Sequence, residues 1–162
     1  MDAPPPAPQP QIVIVLVGFP GCGKTTWAKF HYPNFERLDG DTLKTSTKVA
    51  KALLAALEEG KNVIVDATNV TVVRRADLMK SVQMRKLNLM ARRQALEVKV
   101  YAVVFKYSVE TCLARIKQRE DQNTAQGIMF NHIPAIAVRK SNSSYIEPKL
   151  EEGFDYIGVV NE

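Results

Sequence analysis

Gly18-Phe19-Pro20-Gly21-Cys22-Gly23-Lys24-Thr25 fits the phosphate-cradling pattern G-x-x-x-x-G-K-[ST] at every fixed position. Its flanks have the right character. Ile12-Val13-Ile14-Val15-Leu16-Val17 is a short β-branched run that reads as a buried parallel strand, and residues 26–32 read as the helix it feeds. The glycines let the backbone turn with its N–H groups inward, so that the loop and the positive end of the helix form one anion site. In such a site Lys24 reaches the β- and γ-phosphates of a nucleotide and Thr25 holds Mg²⁺, while Gly18, Gly21, Cys22, Gly23 and Thr26 complete the cradle. The loop implies a nucleotide and leaves open what receives the phosphate.

Length and composition bound the rest. The 162 residues, 46% of them hydrophobic, suffice for one sizeable core, and nothing in the pattern calls for two. A net charge of +5 favours a polyanionic or phosphorylated partner without fixing fold or specificity. Cys22 and Cys112 are the only cysteines, one in the loop and one in an expected helix, which argues against a disulfide framework and for a reducing, intracellular setting, cytoplasmic or nuclear. The longest early apolar run is too short to span a membrane, and no basic segment precedes it as in a signal peptide.

Residues 1–11 are rich in proline and are expected to form an extended, disordered tail or linker outside the core, with residues 12–162 as the folded domain. Residues 34–38 are a weak strand candidate leading into Asp39-Gly40-Asp41-Thr42-Leu43-Lys44. Two carboxylates just past a strand sit where open parallel sheets bind ligands, so either could serve as a base for phosphoryl transfer; an Asp-Gly turn followed by a helix cap explains the same residues. A helix over residues 47–59 closes at Gly60, and Asn62-Val63-Ile64-Val65-Asp66 is an apolar strand ending in a carboxylate. Asp66 there can orient Mg²⁺-bound water or a substrate-side base, or simply begin an acidic turn.

Residues 74–93 hold seven basic residues against one acid, Asp77. Met79, Val82, Leu87 and Met90 suggest an apolar helical face, but one regular helix would put Lys86 and Arg93 on it, so a bend or an earlier end is expected. The charges read either as a solvated surface or as a nucleic-acid track, and the former is favoured. Residues 98–105 form another central strand, Ser108 caps the next helix, and residues 154–160 supply a fifth strand. On that helix Arg115 and Arg119 share a face away from Val109, Cys112, Leu113 and Ile116, where they either clamp phosphates or decorate a basic surface. His132, next to Ile133-Pro134, reads as a turn residue. Cys22, beside Lys24 at a helix start, is expected to have a lowered thiol pKa if it is exposed.

Taken together, the loop, Asp41-Thr42-Leu43, Val63-Ile64-Val65-Asp66-Ala67-Thr68-Asn69, Arg115 with Arg119, and Tyr145-Ile146-Glu147-Pro148-Lys149-Leu150-Glu151-Glu152-Gly153-Phe154 closely resemble the 5′-kinase domain of the polynucleotide kinase 3′-phosphatase family, over nearly the whole chain. The resemblance implies an α/β P-loop kinase fold, a parallel sheet of about five strands with helices on both faces and a helical lid. It also implies transfer of the ATP γ-phosphate, with Mg²⁺, to a 5′-hydroxyl of single-stranded or end-containing DNA or RNA, as in nucleic-acid repair. By the same resemblance Asp41 is the general base, Lys24 and Thr25 contact nucleotide and Mg²⁺, Arg115 and Arg119 are lid arginines, and Asp66, Asn69 and Arg75 lie on the acceptor side. Relatives carry an arginine just before the base where this chain has Gly40, and Lys44 is the candidate replacement for that charge. No phosphatase domain accompanies these motifs, which puts a partner phosphatase or ligase on another chain or another part of the protein. The competing classes are a small-molecule or toxin-type P-loop kinase and a non-catalytic nucleotide-binding module.

Overall fold

The computed structural model describes residues 2–162. Its frame is β1 (Gln11–Val17), whose alternating side chains enter two different cores. Val13, Val15 and Val17 pack on one side of the sheet with Leu53 and Leu57 of α3 (Ser46–Glu58) and with Leu78, Val82 and Leu89 of α4 (Val72–Ala91). Ile14 and Leu16 pack on the other with Ala28 of α1 (Lys24–His31), Cys112 and Ile116 of α5 (Val109–Ala125) and Val138 of α6 (Ala135–Ser144). A strand covered on both faces must be apolar at every position, which is why 12–17 reads as a continuous run.

Four more strands complete the parallel sheet: β2 (Glu36–Asp39), β3 (Val63–Asp66), β4 (Val98–Lys106) and β5 (Tyr156–Asn161), in the order β2-β3-β1-β4-β5. The register sets Asp39 opposite Asp66 and Val15 opposite Val65, so two strand-end carboxylates and the glycine loop after Val17 emerge along one edge. Between β2 and α3 lies the single turn α2 (Gly40–Leu43). Thr45, Thr71 and Ser108 cap α3, α4 and α5, each accepting a backbone N–H with its hydroxyl oxygen. No helix among the described residues is long and apolar enough to cross a membrane.

The sheet, the layers on both faces and the helical pair α5–α6 agree with the expected fold class, and three local readings change. Gln11, assigned above to the tail, is the first residue of β1: its amide donates to Leu57 O at 3.0 Å and Lys61 O at 2.7 Å and accepts from Arg85 Nε at 3.1 Å. The helix expected to bend or stop early runs uninterrupted through α4. Its inner face is Arg75, Leu78, Val82, Arg85 and Leu89, whereas Leu87 and Met90 point outward. Met79 and Val82 of the expected face are buried, and the rest of that face differs because two arginines are core residues here.

Each buried arginine has a partner. Arg85 meets Glu58 at 3.3 Å. Glu58 also accepts from Asn88 at 2.7 Å and from exposed Arg92 at 3.1 Å. Arg75, wholly inaccessible, donates to both carboxylate oxygens of Glu152 at 2.8 and 3.2 Å and to Asn69 O at 3.0 Å. Glu152 belongs to the 3-10 turn Leu150–Glu152, which Lys149 N caps on the same carboxylate and Phe154 anchors in the core. Breaking a buried ion pair from one side leaves an uncompensated charge. Glu152→Ala should therefore cost about 3–5 kcal/mol in chemical denaturation. Arg92→Ala, at the exposed end of the Glu58 network, should cost no more than about 1 kcal/mol.

Candidate active site

The glycine loop leaves β1 at Gly18, whose N–H donates to Thr68 O at 3.0 Å, and enters α1 through Gly23. Gly21 has φ +83°, and a Cβ there would lie 2.6 Å from Ile116 Cγ1 and 2.9 Å from Cys112 O. No other residue type fits that place, because both the conformation and the contact with α5 exclude a side chain. Lys24 is the first residue of α1 and is buried, its ammonium donating to Phe19 O at 2.8 Å and Gly18 O at 3.1 Å. Held across the mouth of the loop, it is placed for anions that approach the helix N-terminus.

Thr25 Oγ1 donates to Asp66 Oδ2 at 2.6 Å. A hydroxyl beside a strand-end carboxylate is the hard-oxygen donor set that a small divalent cation takes, so this corner fits Mg²⁺. Arg37 Nη1 reaches the same Asp66 oxygen at 2.7 Å.

A cavity of about 630 Å³ opens over the loop, lined by Gly21, Cys22, Gly23, Lys24, Thr25 and Thr26 below and by Arg115 and Arg119 of α5 above. Trp27, Tyr107, Ile133 and Val160 give it an aromatic and aliphatic end. Arg115 stacks its guanidinium 4.5 Å from the Tyr107 ring centroid and donates to Cys22 O at 3.3 Å. Glu120 accepts from Ile133 N at 2.8 Å and pairs with His132 at 2.9 Å, so its carboxyl, held below the usual range first by that N–H and then by His132, pins the start of α6 to α5. His132 is thus a turn residue.

A second cavity of about 260 Å³ adjoins the first, lined by Lys44, Thr45, Asn69, Arg74 and Ser141. Asp41 lines both. Asp39 caps α2, accepting from Asp41 N and Thr42 Oγ1 at 3.0 Å each, whereas no hydrogen bond or ion pair engages the Asp41 carboxylate among the described residues. The helix-cap reading of Asp39-Gly40-Asp41 thus holds for Asp39, and Asp41 is the aspartate whose carboxylate is left without a partner among the described residues.

The structure brings Gly21, Cys22, Gly23, Lys24, Thr25, Thr26, Asp41, Asp66, Arg115 and Arg119 to one cavity and Lys44 and Asn69 to its neighbour. Gly18 lies beneath, against Phe105. Asn69, at φ +47°, spends its amide N–H on Leu16 O at 2.8 Å and holds the β3 exit in place. Arg75 lines neither cavity, because its guanidinium is consumed by Glu152; the arginine that lines the second cavity is Arg74. Sequence reasoning missed Arg37, Arg74 and Tyr107. The period of two on β2, which puts Arg37 on the face of Asp39, was a usable signal. Helical phase, with 75, 78 and 82 inward, would have turned Arg74 outward.

The expected reactive thiol is overturned. Cys22 is 1% exposed, and burial pushes its thiol up despite the pull of Lys24. Burial likewise pushes the Cys112 thiol up to about 11. Raised pKa values keep both as neutral thiols at pH 7–8. Alkylation of the native protein by iodoacetamide at pH 7.5 should be slower than that of the denatured chain by at least about one order of magnitude. Equal rates would contradict the burial.

The family model described as an AAA domain matches residues 44–132, more than half of the chain. The chain is 33% identical over 154 residues to the bifunctional polynucleotide phosphatase/kinase of Schizosaccharomyces pombe, aligned over 93% of its own length and 33% of that protein. It is 28% identical over 157 residues to the transcription factor bHLH140 of Arabidopsis thaliana, covering 91% of itself and 16% of that protein. It therefore spans about a third and about a sixth of these relatives. A crystal structure of a fungal RNA kinase superposes with TM-score 0.69 at 20% identity, covering 95% of this chain and 77% of that one, a likeness of fold. The matched segment starts after the glycine loop, which the fold supplies intact ahead of it, and the chain belongs to the AAA-domain family of P-loop proteins.

Proposed function

We propose that this chain is an ATP-dependent polynucleotide 5′-hydroxyl kinase acting on DNA or RNA ends. The observation that carries the reading is the position of Asp41, an uncommitted carboxylate at the junction of the cavity over the glycine loop and the cavity beside it. One cavity is built for the donor phosphates, and the other is open to an acceptor. The 33% identity to a polynucleotide phosphatase/kinase supports the choice of acceptor class.

The donor triphosphate lies along the loop N–H groups, with Lys24 drawn onto its terminal phosphates and Thr25 and Asp66 holding the metal side. Mg²⁺, which Thr25 and Asp66 would hold, would supply charge neutralisation to the donor phosphates. A 5′-hydroxyl entering from the second cavity meets Asp41, which accepts its proton as the oxygen attacks the γ-phosphorus and the bond from that phosphorus to the bridging β-phosphate oxygen breaks, releasing ADP. Proton acceptance of this kind contributes about 10²–10⁴ in rate. Arg115 and Arg119, on the helix above, stabilise charge on the transferring group, and Tyr107 keeps Arg115 aimed by cation–π contact.

Lys44 and Arg74 border the acceptor cavity and bind backbone phosphate beyond the attacking residue. Among the other arginines of α4 and its end, Arg75 and Arg85 are buried in ion pairs and Arg92 is paired with Glu58, whereas Arg74 lines the second cavity.

Asp41→Asn should lower turnover on a 5′-hydroxyl oligonucleotide by about two to four orders of magnitude with nucleotide affinity nearly unchanged, measured by transfer from labelled ATP. Full activity of the folded variant would sink the assignment. In the same assay, label appearing only on nucleosides or sugars would favour the small-molecule kinase class. Arg74→Ala should reduce the salt dependence of oligonucleotide binding by about 0.7 log units per log unit of salt, the share of one single-strand phosphate contact, while Arg92→Ala leaves the slope unchanged.

A further inference from the structure

One oxygen at the metal corner serves two donors. Asp66 Oδ2 accepts from Thr25 Oγ1 at 2.6 Å and from Arg37 Nη1 at 2.7 Å. The Asp66 side chain is 4% exposed, a burial that an ionised carboxylate tolerates only with a partner. Arg37 lines neither cavity, and the reaction described above does not use it. A second carboxylate, Asp39 Oδ2, lies 3.8 Å from the same guanidinium nitrogen. Asp39 in turn holds the turn that bears Asp41, through Asp41 N at 3.0 Å.

Residue 40 explains why the cation stands at 37. A Cβ on Gly40 would come 2.7 Å from Ala67 Cβ, so no side chain fits there without moving the end of β3. The positive charge beside Asp66 and Asp39 comes from Arg37 on the strand below.

We propose that Arg37 is the resident counter-ion of Asp66, competing with a divalent cation for Asp66 Oδ2 and having Asp39 as its alternative partner. Arg37 is thus a positioning residue that couples cation binding at Thr25 and Asp66 to the turn carrying Asp41. A cation that takes up Oδ2 weakens the hold of Asp66 on the guanidinium, and Asp39, already within 3.8 Å, takes a larger share of it. The inference rests on reading the loop as a nucleotide and Mg²⁺ site.

The test is a Mg²⁺ titration at fixed ADP, read by the fluorescence of Trp27, the only tryptophan in the chain and a residue lining the large cavity. Arg37→Met removes the competitor, so the Mg²⁺ concentration at the midpoint of ADP binding should fall by about tenfold. Arg37→Lys keeps the charge and should stay within about twofold of the wild type. Asp39→Asn keeps the cap but removes the alternative partner, and should raise the midpoint about threefold; in the Arg37→Met background the same change should have no effect, because Asp39 acts through Arg37. If Arg37→Met fails to fold by circular dichroism, Arg37→Gln, which retains a donor toward Asp66, carries the same expectation.

A neutral variant with an unchanged or raised midpoint overturns the proposal, as does an Arg37→Lys protein that behaves like the neutral one. Nucleotide binding that ignores Mg²⁺ in the wild type overturns it too. No acceptor is present in this titration, so its outcome is separate from whether 5′-ends are phosphorylated.

Discussion

Contact between the glycine loop and α5 at Gly21 is the constraint from which the site's geometry follows. The hydrogen on that α-carbon is all that separates the loop from Ile116 and from Cys112 O, so the loop and the helix bearing Arg115 and Arg119 behave as one packed body. Arg115 closes the contact, donating to Cys22 O from a guanidinium steadied on Tyr107. Arg115 above the cavity and the loop below it are thereby held in one packed unit before a ligand arrives. Such preorganisation is what makes charge stabilisation effective in a transition state, because the dipoles need not reorient as the reaction proceeds.

On the other face of the sheet, ion pairs take a structural part. Arg75 with Glu152 ties α4 to the turn before β5, and Arg85 with Gln11 and Glu58 ties α4 to the first residue of β1 and the end of α3. Buried charge is costly unless every donor is matched, and here no buried side-chain polar atom lacks a partner among the described residues. These networks specify how α4 sits. The tail segment Pro148 to Phe154, so characteristic in the sequence, contributes to them: Glu152 is the partner of Arg75, and Phe154 fills the core beside Met79 and Val100.

What could be read from the sequence follows from how local each signal is. The loop, the β-branched strand before it and the capped helices depend on neighbours a few residues away, and each stands where its pattern put it. The face of α4 depends on tertiary pairing: arginine is counted as polar by any pattern, and only Glu152 and Glu58, 77 and 27 residues away, turn two of them into core residues. The same limit applies to Cys22, whose thiol pKa is set more by burial than by the adjacent lysine, and to Arg75, which sequence position alone sent to the acceptor side. Arg37 escaped for a related reason, since its significance arises where the β2–β3 register places Asp39 beside Asp66.

Asp39 and Asp41 are two similar residues to which the turn after β2 gives different surroundings. Both follow β2, and both border the large cavity. Asp39 already spends its two oxygens on Asp41 N and Thr42 Oγ1, which holds its side chain in the turn. Helix α2 then carries Asp41 past the end of the sheet, to the boundary of the second cavity, with its carboxylate uncommitted. Gly40 is the hinge of that arrangement, because the close approach to Ala67 lets the turn tuck under the β3 exit. In this chain a Cβ at residue 40 would lie 2.7 Å from Ala67 Cβ, so a side chain there would need the turn or the β3 exit to shift, and the seating of the turn that bears Asp41 depends on the glycine before it.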